Sequence, residues 1–150
     1  MKRIIVCFFI LSAPLWALAQ KGLHVESVFD GGLIPRNRIE ETMVRGAALK
    51  EYKLELYRGM KMVIDSVERQ RIETLVMNDG KGMMDREDGA EYEMQNGHLT
   101  YCILSLPAIR HKRYLCYQCY KSRPDAFTVT LVYLEGKATL RDLRKTFRKK

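Results

Sequence analysis

The chain has 150 residues, 26 Lys and Arg against 18 Asp and Glu, 47% hydrophobic residues and four cysteines. That length allows one domain of ordinary size, and the mix of apolar and charged residues excludes a disordered or collagen-like chain. Four cysteines are too few for a disulfide-dense miniprotein, while a formal charge of +8 points toward anionic partners.

Lys2 and Arg3 precede a continuous apolar run from Ile4 to Leu11, and the segment closes on Ala17-Leu18-Ala19. A positive start, an apolar centre and a small-x-small end are the layout of a secretory signal peptide, and the run is too short to span a bilayer. Cleavage is expected after Ala19, leaving Gln20 first. Cys7 lies inside the run, well before that point, and is not placed as a lipoprotein cysteine. The expectation is an exported protein, periplasmic or extracellular, with one α+β domain over residues 20–150 and no membrane span. Charge within that domain is uneven. Residues 20–100 carry 12 basic and 15 acidic side chains, and residues 101–150 carry 12 and 3.

Gly31-Gly32 with Pro35 marks an early loop, and Glu41–Val44 suits a short strand. Alternation over Lys53–Asp65 predicts extended chain, either one strand bulged at Gly59 or a hairpin. Ser66 is placed to cap a helix that runs to an Asn78-Asp79-Gly80 stop, with Glu68 in its first turn and Ile72, Leu75, Val76 and Val67 as its apolar face. Residues 80–90 read as an exposed loop. Asn96-Gly97 between two extended runs, Glu91–Gln95 and His98–Leu106, predicts a type I′ hairpin, because both central residues need positive φ. Lys112–Tyr120 and Ala126–Leu134 read as strands, the second β-branched and aromatic throughout. A last helix is expected from about Ala138 to Lys149, with Leu140, Leu143 and Phe147 on one face. Strands that come in runs predict an α+β fold: a single antiparallel sheet of about four to six strands with two helices packed on one face.

The leader, Leu54-Glu-Leu-Tyr-Arg, the central strand meander and Tyr133-Leu-Glu-Gly-Lys-Ala-Thr together resemble a family of small exported proteins of unknown function from gut-dwelling Gram-negative bacteria. The resemblance covers nearly the whole chain after the leader and implies a periplasmic or secreted location. It supplies no catalytic residues.

Cys116-Tyr-Gln-Cys119 has the spacing of a thiol–disulfide exchange motif. In a strand, however, residues i and i+3 point to opposite faces, about 10 Å apart, and cannot bond each other. Tyr120 stands where a c-type haem site needs His. Cys102, Cys116, Cys119, His98 and His111 offer one pair with ligand spacing and no second, so no zinc site is expected. The acidic loop Asp85-Arg-Glu-Asp-Gly89 misses the calcium-loop template. No metal and no cofactor are therefore expected. Cys102 lies opposite Cys116 or diagonal to Cys119 depending on register, and the apolar pattern favours a Cys102–Cys119 bridge over the other pairing; buried reduced thiols are the alternative.

No hydrolase signature appears, and His24, His98 and His111 are scattered. The reading is a non-catalytic binding protein, with thiol–disulfide exchange through Cys116 and Cys119 as the alternative. Two surfaces are candidates. Arg110, Lys112, Arg113, Lys121 and Arg123 cluster around turns and suit an anionic envelope partner rather than nucleic acid, which an exported protein seldom meets. Tyr101, Tyr114, Tyr117, Tyr120 and Tyr133 are the candidate aromatic contact face for another exported protein, and an exposed edge strand could pair two copies as a homodimer.

Overall fold

A computed structural model describes residues 22–148; the leader expected over residues 1–19 lies outside the described residues. The chain builds one six-stranded antiparallel sheet from β1 (Ile39–Arg45), β2 (Leu54–Ile64), β3 (Ala90–Gln95), β4 (His98–Leu106), β5 (Lys112–Arg123) and β6 (Ala126–Gly136), in the order β1-β2-β6-β5-β4-β3. Helices are fewer: α1 (Glu26–Phe29), α2 (Ser66–Asp79) and α3 (Leu140–Arg148), with a 3₁₀ segment over Gly46–Tyr52.

β6 is central because its sequence is apolar on both sides. Val129, Leu131 and Tyr133 enter a core with Ile72 and Val76 of α2, while Val132 and Leu134 enter a second core with Leu143 of α3. Apolar residues of α2 and α3 thus enter different cores, a departure from the expectation of two helices on one face. A strand buried on both faces needs cover on both, and the period-2 alternation of β6 supplies apolar residues to each.

Local chemistry sets most boundaries. Asn96 and Gly97 have φ of 52° and 77°, the two left-handed residues of the expected tight hairpin. β2 is a single strand, and its irregularity falls between Leu54 and Leu56; Gly59 pairs regularly with Thr42 and Val132. The cap of α2 is Asp65, one residue before the expected Ser66. Its carboxylate accepts the Glu68 N–H at 2.8 Å, and the Glu68 carboxylate accepts the Asp65 N–H at 3.2 Å. The reciprocal pair satisfies two donors that the helix cannot. Of the expected α2 face, Ile72 and Val76 are buried, Leu75 is partly buried, and Val67 is exposed. Among the described residues no helix is long and apolar enough to cross a membrane.

Candidate functional site

β2 begins, β6 ends and β5 begins at the same end of the sheet. Leu54 pairs with Gly136, which pairs in turn with Lys112. Lys53, just before β2, has left-handed backbone at φ 58°, and its carbonyl accepts the N–H groups of Lys137 and Ala138, both at 2.9 Å. Gly136 permits this approach, since a Cβ there would lie 2.6 Å from both the Leu54 Cα and the Lys53 carbonyl oxygen.

This knot gathers cations from distant parts of the chain. A cleft of about 720 Å³ is lined by Arg45, Lys50, Lys53 and Lys137, with Glu55 the one carboxylate among its lining residues. Glu55 is engaged by His111 Nε2 at 2.7 Å, and Lys53 Nζ lies 3.4 Å from Asp142 Oδ1. Asp142 also accepts the Thr139 N–H and hydroxyl, each at 2.9 Å. Those two bonds, with Lys53 behind them, hold its carboxyl down to about 2. Burial pulls the Arg45 guanidinium below its ordinary value against the opposing pull of Glu135, and the side chain stays charged. Among the described residues, Lys50 and Lys137 make no ion pair.

The five cations named from the sequence do not stand together. Arg110 and Lys112 are exposed at this end. Lys121 and Arg123 are exposed at the far end of β5, roughly 30 to 36 Å from Lys112 at about 3.3 Å per strand residue. Arg113 is buried. Its Nε donates to the Tyr133 hydroxyl at 2.7 Å and one terminal nitrogen to the Pro107 carbonyl at 3.1 Å, and Tyr133 donates onward to Glu135 Oε1 at 2.6 Å. A second cleft of about 500 Å³, lined in part by Lys112, Arg141 and Arg144, also carries Glu87 and Asp88, and Glu91 holds Arg144 at 2.7 Å. Arg45, Lys50, Lys53 and Lys137 escaped the sequence reading because three of them lie in the acidic first part of the chain. Only strand register brings them to Lys137.

The tyrosines do not form one contact face either. Tyr114 is buried on the α3 side, where its hydroxyl donates to the Ala138 carbonyl at 2.7 Å, and Tyr101 is half-buried beside that core. Tyr117 and Tyr133 are buried in the core on the α2 side, and Tyr120 alone of the five is exposed. Alternation in β5 splits Tyr114 from Tyr117, and the apolar bodies of the rings are more useful inside.

Cys102, Cys116 and Cys119 are free thiols. Cys102 pairs with Tyr117 and Ile103 with Cys116, which sets Cys102 diagonal to Cys119 on one face, about 7 Å away, beyond the reach of a disulfide. Cys116 and Cys119 contribute to opposite cores. Burial pushes all three thiols up, Cys102 to about 12, whereas exchange chemistry needs a lowered thiol. Among the described residues, no three His, Cys, Asp or Glu side chains gather as metal ligands.

One polar cluster was not foreseen. Buried Glu73 of α2 accepts the Leu99 N–H at 2.8 Å and lies 3.2 Å from His98 Nδ1, while Arg69 reaches His98 Nε2 at 3.2 Å and stacks over Phe127 at 4.2 Å. Arginine only donates, so Nε2 accepts and Nδ1–H donates to Glu73. The cluster ties the start of β4 to α2. Glu73 falls on the apolar side of α2, next to Ile72 in sequence, and that misplaced charge is the signal that could have revealed it.

Residues 12–147, a span that includes all six strands, match the model of a family of unknown function (DUF6108). The chain belongs to that family. No curated protein and no solved structure matches it. The chain's own geometry offers one concave surface of nearly one sign, the cleft of Arg45, Lys50, Lys53 and Lys137.

Proposed function

We propose that the protein is a non-catalytic binding protein of the bacterial envelope, exported to the periplasm or beyond, whose basic sheet end takes an anionic envelope component. The observation that carries this reading is the cleft in which four cations face one carboxylate. A concave surface of one sign focuses its field and raises both the local concentration and the arrival rate of opposite charge, in a salt-dependent way. Export rests on the layout of residues 1–19. The alternative, thiol–disulfide exchange through Cys116 and Cys119, has weaker support, because the two side chains enter opposite cores.

The test uses the processed chain, from Gln20 onward, on a dextran sulfate matrix eluted with salt. Retention is expected, and Lys50→Glu with Lys137→Glu should weaken it roughly ten-fold at low ionic strength. Lys121→Glu with Arg123→Glu, at the far end of β5, should change little. Equal losses from both pairs, or none from the first, would refute the site.

A further inference from the structure

Resting on the reading that the basic sheet end binds an anionic envelope component, we infer that this component is the headgroup layer of an anionic lipid bilayer, and that the turn between β4 and β5 dips into it. The turn leaves the sheet at buried Leu106 and re-enters at Lys112, and Pro107, Ala108, Ile109 and Arg110 are all exposed. Ile109 is 76% exposed, more than any other large hydrophobic side chain among the described residues. The base of the turn is pinned on both sides. Buried Arg113 holds the Pro107 carbonyl at 3.1 Å, and His111 holds Glu55 of β2 at 2.7 Å. The apolar tip therefore projects from a fixed base.

A lone exposed isoleucine needs no explanation. Its surroundings do. His111 reaches Glu55, which lines the cleft of Lys50, Lys53 and Lys137, while Ala108 and Lys112 line the cleft that holds Arg141. The tip thus rises between the basic cleft and a mixed one, where Lys112 and Arg141 stand with Glu87 and Asp88. Tyr52, beside Lys53, adds a half-exposed ring at the same end, the side chain that favours the boundary between headgroups and water. A soluble polyanion could use the cations, but Ile109 would gain nothing from it. A bilayer surface uses both, with anionic headgroups for the cations and the acyl boundary for the tip. That difference selects lipid over polysaccharide.

The experiment follows the processed chain, since the apolar leader would bind lipid by itself. Sedimentation with phosphatidylglycerol vesicles should show binding that salt weakens and that falls about five-fold for each cation removed at Lys50 and Lys137. Ile109→Asn, which adds no charge, should lower vesicle binding by at least about ten-fold while leaving dextran sulfate retention unchanged. Ile109→Trp would be the sole tryptophan of the processed chain, because Trp16 is the only one in the sequence. Its emission should shift to the blue with phosphatidylglycerol vesicles and stay put with dextran sulfate. Vesicle binding that Ile109→Asn leaves intact, or an unshifted tryptophan on bound vesicles, overturns the inference and leaves the anion-binding site standing. Equal binding to phosphatidylcholine vesicles also overturns it. Failure to bind either vesicles or dextran sulfate removes the site itself.

Discussion

Arg113 of β5 and Lys137, just past the end of β6, sit at the same end of the sheet, and their charges have opposite fates. Arg113 pairs with Glu135 across β5 and β6, and the Tyr133 hydroxyl stands between the two side chains, accepting from one and donating to the other. The hydroxyl has one proton to give and lone pairs to receive, so the bonds run unbroken from buried Arg113 to half-buried Glu135. Burial, and then the bond to Glu135, push the Tyr133 phenol upward. Lys137 lies one residue past Gly136. Its N–H serves the knot with Lys53, and its ammonium is left facing the cleft. A cation becomes a fold element or a binding element according to whether the adjacent strand brings it a partner.

The largest test of that contrast replaces Arg113 with Met. Removing one member of a buried charged network leaves the other uncompensated, a loss of about 3 kcal/mol that should appear as a lowered urea midpoint, with dextran sulfate retention unchanged in the folded protein. The mirror experiment is Lys50→Glu with Lys137→Glu, which should alter stability by less than about 0.5 kcal/mol while retention falls. A variant of Arg113 that folds as firmly as the parent but loses retention would break the contrast.

The same contrast marks what the sequence could disclose. Features written within a few residues were legible: the Asn96-Gly97 turn, the run of α2 to its Asn78-Asp79-Gly80 stop, and the α3 face of Leu140, Leu143 and Phe147. Features that depend on register were not. The last third of the chain looked like a single basic surface, yet one of its cations is buried on Tyr133 and two lie far along β5, while the cleft draws three from the acidic part. The tyrosines of β5 misled for a related reason. In a strand, composition names the residues, but alternation assigns them to faces, and a sheet covered on both sides hides both sets.

Gly136 joins the two behaviours, and altering it should have the next largest effect. Alanine there would press its Cβ on the backbone of Lys53 and Leu54, where no side chain can swing away. The strands must part, at a cost of about 2 kcal/mol. Unlike either variant above, Gly136→Ala should lower both the urea midpoint and the retention, because it separates Lys53 from Lys137. A loss of stability with full retention would mean that the cations gather without the knot.

The smallest effect belongs to Asp142, which holds both the first turn of α3 and the ammonium of Lys53. Its carboxyl in the folded chain is held to about 2 against an ordinary value of 3.8. A group whose folded value is depressed favours the fold fully above its unfolded value, and that contribution fades as pH falls toward the folded one. Between about pH 4 and pH 2, therefore, amide protection across residues 140–148 should decline before that of β5 and β6, and Lys53 should lose its tether. Arg113 would stay in place over the first part of that range, because its hydroxyl and carbonyl partners do not titrate there. Protection in α3 that vanishes above pH 4 would point instead to the packing of Leu143 as its weak point. Protection that persists below pH 2 would show that Thr139 and Asp142 contribute nothing to holding the helix, and that Lys53 is aimed by its left-handed backbone alone.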